Sequence, residues 1–446
     1  MPSTVTVNQY ASGDYPDIQS AIDAVRGGSI VELENGNYTG VGNRDLEFNG
    51  KSIVIRSASG DPDSCVIDCV GSDIDPHRGI LLNGREGNFT RIEGITIRNA
   101  FTGGGGGGGM HINRSHPTVD NCTFINCIAF DGGGIQTYKS EAVITGCLFR
   151  SCYATDAGGG IMNHTCDPVI RDCTFIGNFG EWGGGGLYNH YSAPAIEGCV
   201  FSGNSSHHWG GALHNNHPES SPVLRNCTFS ENYAPLGGHL YSRDNAAPVL
   251  YNSILVFSFE GVAAYAATGA TTTLNCCDVY LNTGGDYVEA LAGQDGIEGN
   301  FSADPEFCNQ TSHNYRLLET SPCAQPNSGS CGLIGALWHG CSPTTGVEET
   351  DPSPAANRLH NCFPNPFNPS TTIRFDIAHP AQASLRIYDV AGRLVRVLVD
   401  EHLAAGRYEE AWDGRNDGGH KVSSGVYFYR LNTAEYEQTR KMILLR

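Results

Sequence analysis

Apolar residues recur at a nearly constant distance through the middle of the chain. A large apolar residue follows a glycine cluster every 25 to 27 residues, at Met110, Ile135, Ile161, Leu187, Leu213 and Leu240. Within each interval, short stretches that alternate apolar and polar residues, such as residues 169–175, are separated by Gly, Asn, Asp and Pro. Repeats of this length, without a stretch long enough for a crossover helix, predict the coils of a parallel β-helix.

A second pattern runs in phase with the first. Five coils contain a Cys-x-Phe triplet, with the aromatic residue at Phe124, Phe149, Phe175, Phe201 and Phe229. Equivalent residues of successive coils stack about 4.8 Å apart, and residues two apart on a strand share a face. We therefore expect an inward phenylalanine ladder with a ladder of cysteines beside it, in which the cysteines act as small buried hydrophobic residues.

A polar column follows the phenylalanines. Asn178, Asn204 and Asn232 lie three residues after their phenylalanine, where the first two coils have Cys127 and Cys152. Stacked asparagines at a turn can satisfy the backbone and one another's amides, so this column predicts an asparagine ladder. Cys127 and Cys152 would face each other across one rung, at a distance that permits a disulfide.

The residues before the repeats predict a cap. Residues 17–25 place Ile18, Ala21, Ile22 and Val25 on one helical face, after Pro16 and before two glycines. One amphipathic helix before a solenoid is expected to cover its first open edge. Strands are expected at residues 29–33, 52–57 and 89–97, and the glycine run at 103–109 is expected to be a flexible turn.

The last hundred residues have a different pattern. The composition of residues 343–358 is that of a linker. Six strands follow, at residues 371–376, 383–389, 394–398, 407–412, 425–431 and 439–445, which predict a small immunoglobulin-like β-sandwich. The expected domains are a β-helix over 1–342, with a repeat core at about 103–257 and a disulfide-rich cap at about 275–342, then the linker, then the sandwich over 359–446.

The composition is that of a turn-rich all-β protein, and the charge argues against nucleic acid as a partner. The chain has 57 glycines, only 4 methionines and a net charge of −20, which would repel nucleic acid. No apolar run approaches the roughly 18 residues of a membrane span. The sequence begins with Met1-Pro2-Ser3-Thr4 and without a signal peptide, and we expect that a leader has been removed.

The repeats carry a family resemblance. Gly-Gly followed by Ile or Leu, with Phe-x-x-Asn, as at Ile161 and at Phe175 with Asn178, resembles the repeats of polymorphic outer membrane proteins and of pectin-lyase-like right-handed β-helix proteins. The stretch from Tyr15 to Ile22 is similar to the cap of that superfamily, which includes pectinesterases. The resemblance covers roughly residues 5–342 and implies the fold, but one β-helix hosts lyases, hydrolases, esterases and adhesins.

The tail resembles another family. The segment 363–370 with Pro-Asn-Pro-Phe-Asn-Pro, the Trp412-Asp413-Gly414 triplet and the basic-apolar end at 441–446 are similar to C-terminal sorting domains of type IX secretion. This resemblance implies the secretion machinery as a partner of residues 359–446, passage through the periplasm, and release or anchoring at the cell surface. Oxidising export allows disulfides, and we expect pairing among Cys308, Cys323, Cys331 and Cys341. For the Cys276-Cys277 pair, a distant partner and a free thiol both stay open.

The sequence assigns no catalytic residue. The motifs of polygalacturonases and pectinesterases are missing beyond the cap, and the basic residues fall in different columns. Asp131, Asp156 and Glu181 precede the glycine clusters at shifting offsets, and we expect them to be solvated turn residues.

One face of the repeats is rich in aromatic residues and histidines. His164 and His190 share a column, while His111, Met162, Tyr188, His214 and Tyr241 share the neighbouring outward column, and Trp182 and Trp209 lie in the preceding turns. Stacked imidazoles could hold a transition metal or stack on a sugar ring. The alternative is a polar, aromatic-rich surface of the solenoid that binds no ligand. The expected binding residues are Trp182, Tyr188, His190, Trp209, His164 and His214.

These observations favour a secreted or cell-surface protein with a non-catalytic binding, adhesive or structural role. A neutral glycan or a cell-surface protein is the expected partner, because the acidic body would repel a polyuronate unless calcium bridged the charges. No other cofactor is expected, and self-assembly stays open. The rival hypothesis is a polysaccharide lyase or glycoside hydrolase that acts on the same face.

Overall fold

The chain forms two compact units, Met1–Pro343 and Thr344–Arg446. The computed structural model describes residues 2–341, 357–359, 362, 367, 371–404, 406–434 and 436–444. The predicted linker at 343–358 lies almost wholly outside the described residues, so the predicted domain boundaries stay a prediction. No helix in the described part of the chain is long and apolar enough to cross a membrane.

The first unit is a parallel β-helix, as predicted. Each coil adds one strand to each of three sheets. Sheet 1 is formed by the strands that directly follow the glycine clusters, and sheets 2 and 3 by the next two strands of each coil. Sheet 1 contains Leu46–Glu47, Ile80–Leu82, Met110–Asn113, Ile135–Tyr138, Ile161–His164, Leu187–His190, Leu213–Asn216, Leu240–Arg243 and Ala264–Ala266. Sheet 2 contains Thr4–Val7, Ile30–Leu33, Val54–Ser57, Arg91–Glu93, Thr118–Asp120, Val143–Thr145, Val169–Arg171, Ala195–Glu197, Val223–Arg225, Val249–Tyr251 and Thr273–Asn275.

Sheet 3 follows sheet 2 around each coil. It contains Gly36–Thr39, Cys65–Asp68, Thr96–Arg98, Thr123–Ile125, Leu148–Arg150, Thr174–Ile176, Val200–Ser202, Thr228–Ser230, Ile254–Val256 and Asp278–Tyr280. A short fourth sheet contains Ile128–Ala129, Tyr153–Ala154, Phe179–Gly180 and Ser205–Ser206. A single residue turns the chain from sheet 2 into sheet 3 with a positive φ, for example 49° at Asn121, 52° at Asp172 and 64° at Gly198. Asn, Asp and Gly adopt this left-handed conformation most readily, which explains their recurrence there.

The phenylalanine ladder fills the interior. Successive rings from Phe124 to Phe229 stack 4.6–5.0 Å apart and nearly parallel, and all five are fully buried. The glycine clusters make this packing possible, since a Cβ at Gly160 would meet Cδ1 of Phe175 at 2.8 Å. The predicted cysteine ladder is also confirmed, because the buried thiol of Cys173 is free and donates a hydrogen bond to the carbonyl of Arg171.

The asparagine ladder is confirmed as well. Nδ2 of Asn178 donates to Oδ1 of Asn204 at 2.9 Å, and Nδ2 of Asn204 donates to Oδ1 of Asn232 at 3.0 Å. The disulfide that the sequence permits between Cys127 and Cys152 does not form. Both thiols are free, because each donates to a buried backbone carbonyl.

The N-terminal cap is the helix Ile18–Ala24, in which the side chain of Asp17 accepts a hydrogen bond from the backbone of Ser20. Ile18, Ala21 and Ile22 are buried in the core of the β-helix. The single strand predicted at 89–97 is wrong. The chain forms two strands there, because Gly94, with a φ of 64°, turns it from sheet 2 into sheet 3.

The segment after the last coil, residues 301–341, folds back along sheet 3, and we call it the strap. It contains the strands Phe307–Asn309, Asn314–Leu318 and His339–Cys341 and the 3-10 helices Gln310–Ser312 and Gly329–Cys331. A further 3-10 helix, Glu289–Leu291, precedes it. Leu317 and Ile334 of the strap pack on outward residues of sheet 3, and the Tyr315 hydroxyl lies 2.6 Å from Oγ of Ser202.

Disulfides fix the strap, in a pairing that the sequence predicted only in part. Cys308 pairs with Cys341, as expected from their cluster, whereas Cys331 pairs with Cys276 of the last turn between sheets 2 and 3. The expectation for Cys323 is wrong. Its thiol is buried and free because it donates to Oδ2 of Asp278, 3.3 Å away.

The second unit is an antiparallel β-sandwich with its own core. One sheet contains Arg358–Leu359, Thr371–Ile377 and Gly406–Trp412, and the other contains Ala381–Asp389, Leu394–Leu403, Gly425–Thr433 and Tyr436–Leu444. Phe375 and Trp412 from the first sheet pack with Leu385 and Tyr429 from the second. All six predicted strands are present, with shifted ends, while the motif at 363–370 falls outside the described residues except for Phe367.

Candidate functional site

The candidate site is the outer face of sheet 1, where two side-chain columns run across the strands. The strand registers align His111, Gln136, Met162, Tyr188, His214, Tyr241 and Tyr265 in one column and Asn113, Tyr138, His164, His190, Asn216 and Arg243 in the other. Residues two apart on a strand share a face, so both columns lie on the outside of the solenoid. The predicted columns are therefore confirmed.

Two tryptophans stand beside this face, on the turns that lead into sheet 1. Trp182 is 47% exposed and stacks on the ring of His208 with the centroids 4.5 Å apart. Trp209 is partly buried, and its centroid lies 6.0 Å from that of Trp182 and 5.8 Å from that of Tyr241. Tyr188 and Trp209 both pack against the ring of His214. We call Trp182, His208, Trp209 and Tyr188 the aromatic face.

His214 supports the aromatic face from below. It is 1% exposed, and the rings of Tyr188, Tyr241 and Trp209 pack edge-on against it at 4.6–5.8 Å. Burial, and then the nearby charge of Arg243, holds the pKa of His214 well below its usual range. The expectation that His214 contacts a ligand is therefore wrong, because its neighbours cover it.

A hydrogen-bond network fixes the orientation of the outer rings. Nδ2 of Asn216 donates to the Tyr188 hydroxyl at 3.0 Å and lies 3.3 Å from Nδ1 of His190. Nε of Arg243 donates to Oδ1 of Asn216 at 3.0 Å, and its guanidinium lies 5.3 Å from the centroid of Trp209. Asn216 and Arg243 were not among the expected binding residues, although both continue the column of His190.

The histidines form a second cluster at the edge of the face. The ring of His190 lies 4.9 Å from those of His164 and His217, in edge contacts, and His217 stacks on Tyr191 at 4.0 Å. Burial, the neighbouring His164 and His217, and Arg243 lower the pKa of His190 to about 4, so its ring is neutral at pH 7. In the described residues, no three His, Cys, Asp or Glu side chains converge as a metal site would require.

The acidic residues of the turns differ in their burial and in their contacts. Burial and the carboxylate of Asp156 raise the pKa of Asp131 to about 6, and Oδ1 of Asp131 is buried without a hydrogen-bond partner. Glu181 instead lies 2.9 Å from Nδ1 of His207. The expectation of solvated turn residues is wrong for Asp131, because its carboxyl packs into the turn beside Asp156.

The fold defines the class of this protein, a right-handed parallel β-helix followed by an immunoglobulin-like domain. Residues 78–279 match the family model described as right handed beta helix region. Residues 367–436 match the model of the FlgD Ig-like domain. No curated protein matches the chain.

Several solved structures are similar to parts of the chain. Pectate lyase Pel9A is 14% identical, with a TM-score of 0.42, over 76% of this chain and 97% of that one. Pectin methylesterase from carrot is 13% identical, with a TM-score of 0.34, over 68% of this chain and 88% of that one. PorU of Porphyromonas gingivalis is 31% identical, with a TM-score of 0.18, over 20% of this chain and only 9% of that one.

Proposed function

We propose that this protein is secreted or displayed at the cell surface and binds a neutral glycan on the aromatic face, without catalysis. The exposed stack of Trp182 on His208, beside Trp209 and Tyr188 of neighbouring turns and strands, carries the proposal. Planar side chains in register can cover the apolar faces of successive sugar rings, while the Tyr188 hydroxyl, held in place by the buried Asn216, offers a polar group to hydroxyls.

The charges around the face favour a neutral ligand. Asp131, Asp156 and Glu181 line the turns beside it, and the chain carries a net charge of −20. The guanidinium of Arg243 is engaged with Asn216 and with the ring of Trp209. A polyuronate would need calcium to bridge the like charges.

A screen of the full-length protein against immobilised glycans tests this specificity. We expect retention on at least one neutral polysaccharide, and retention on polyuronates only when calcium is added. Binding to polyuronates in the presence of a chelator, without binding to any neutral glycan, would contradict the proposal.

We further propose that the C-terminal sandwich directs export through type IX secretion. The resemblance of the Trp412-Asp413-Gly414 region to sorting domains supports this role. The separate core of the sandwich, built around Phe375, Trp412 and Tyr429, supports its independence as a module.

One observation favours the rival function, a glycoside hydrolase. Burial and the carboxylate of Asp156 raise the pKa of Asp131 to about 6, burial also raises the pKa of Asp156, and glycosidases act through a pair of carboxyl groups. Incubation with neutral and acidic polysaccharides, followed through reducing ends and the absorbance of unsaturated uronates, distinguishes the two. The binding proposal predicts no product, whereas product that disappears in Asp131→Asn would establish the enzyme.

A further inference from the structure

A polar cleft lies elsewhere on the β-helix, where sheet 2 turns into sheet 3 and the strap runs alongside. Its volume is about 560 Å³. Arg171, Asp172, Glu197 and Gly198 line it from the coils, and Leu333 and Trp338 line it from the strap. None of these residues belongs to the aromatic face.

The wall that the strap contributes is fixed to the coils. Nδ2 of Asn226 donates to the carbonyl of Leu333 at 2.8 Å, and the backbone amide of Gly335 donates to the carbonyl of Asn252 at the same distance. The Cys276–Cys331 disulfide ties the start of this wall to the last coil. The cleft is therefore preformed, and a ligand would not have to order the strap.

One coil lacks a side chain at the floor of the cleft, and the carboxylate of Asp172 from the preceding coil occupies that space. The turn residues in register are Asp172, Gly198, Asn226 and Asn252, and the strap covers the last two. A Cβ at Gly198 would overlap Oδ1 of Asp172, so glycine at this turn keeps the carboxylate accessible.

The lining groups match the chemistry of a sugar. Trp338 is 64% exposed and presents a flat apolar surface at the edge of the cleft. Opposite the strap, Nε of Arg171 lies 3.2 Å from Oε2 of Glu197, and both side chains are about half exposed. Carboxylates accept hydrogen bonds from sugar hydroxyls and a guanidinium donates to them, while an indole stacks on the pyranose ring.

We propose that this cleft is a second carbohydrate-binding site, which takes one pyranose unit of a neutral glycan between Trp338 and the Asp172–Glu197 edge. The two carboxylates outnumber the single guanidinium of Arg171, which disfavours uronates. The site goes beyond the proposed function and does not depend on it, because it shares no residue with the aromatic face.

The test uses the full chain with Trp182→Ala and Trp209→Ala, so that the aromatic face contributes nothing. Cellohexaose, mannohexaose and β-1,4-galactohexaose are the probes, with hexagalacturonate and a neutral decapeptide as comparisons, and saturation-transfer NMR gives the affinities. We expect at least one neutral hexasaccharide to bind, with a Kd of about 1 mM, as a single small site allows.

Substitutions of residues that line the cleft show whether that binding takes place there. Trp338→Ala should weaken it by about tenfold or more, Asp172→Asn by a smaller factor, and Trp338→Phe should largely preserve it. Circular dichroism confirms the fold of each variant. The proposal would be overturned if no neutral hexasaccharide bound, or if Trp338→Ala bound with the affinity of its parent. It would also be overturned if only the uronate or the peptide bound in a way that depends on Trp338. The aromatic face is tested separately, so either site can fail without the other.

Discussion

At the scale of single residues, His239 completes the asparagine ladder in a coil that lacks its asparagine. The column Asn178, Asn204, Asn232 is interrupted by Ser258 and resumes at Asn282. Nδ1 of His239 accepts from Nδ2 of Asn232 at 3.1 Å, and Nε2 donates to Oδ1 of Asn282 at 2.8 Å. The imidazole thus bridges the two asparagines as a neutral ring.

Protonation of His239 should destabilise the β-helix. Burial lowers the pKa of His239 to about 4, so the unfolded chain takes up a proton more readily than the folded one. The stabilisation by neutral His239 is complete above about pH 6.5 and is lost as the pH falls towards 4. From about pH 6.5 to pH 4, the free energy of unfolding of the parent protein should fall by about 3 kcal/mol more than that of His239→Gln. Glutamine keeps a donor and an acceptor but cannot titrate.

Unfolding of both proteins across this pH range provides the measurement. The comparison with His239→Gln is needed because Asp278, whose pKa is raised to about 7 by burial, becomes protonated in the folded state and opposes the trend. A constant difference in stability between pH 7 and pH 4 would show that His239 is not buried as a neutral ring.

At the scale of elements, the structure of the repeated coils could be predicted from the sequence, whereas that of the strap could not. The phenylalanine, cysteine and asparagine columns follow from the 25 to 27 residue period, since equivalent residues must stack once the coils pair. The strap has no period, so neither its return along sheet 3 nor the Cys276–Cys331 pairing could be read from the chain. The columns of the aromatic face were predictable, but the burial of His214 depends on how the large rings around it pack.

The phenylalanine ladder should account for much of the stability of the coils. Phe175→Ala removes a ring that stacks on both neighbours at 4.8 and 4.6 Å and should cost about 3–5 kcal/mol in the free energy of unfolding. Thr174→Ala, on the outer side of the same strand, should cost under about 1 kcal/mol. Denaturant unfolding measures both, and equal losses would mean that the inner and outer faces are wrongly assigned.

At the scale of the whole molecule, the β-helix and the sandwich have separate cores. Deletion of residues 343–446 should therefore leave the thermal unfolding midpoint of the β-helix unchanged. In a host with type IX secretion, the truncated protein should accumulate in the periplasm, as fractionation and immunoblotting would show. Normal surface delivery of the truncated protein would remove the sorting role from the sandwich.

The central claim is that the aromatic face binds a neutral glycan through its exposed rings. Calorimetric titration of the full-length protein and of Trp182→Ala, with a neutral polysaccharide retained in the screen, tests it most directly. A matched control is Tyr10→Ala with Phe89→Ala, which removes two exposed rings, 80% and 77% accessible, that belong to neither column nor turn of the face.

We expect Trp182→Ala to weaken binding by about tenfold or more, with a melting temperature within a few degrees of the parent. Trp182→Ala with Trp209→Ala should abolish binding at the aromatic face and leave only binding at the cleft, with a Kd of about 1 mM. The control should bind as the parent does. Unchanged affinity in folded Trp182→Ala, or an equal loss in the control, would contradict the account.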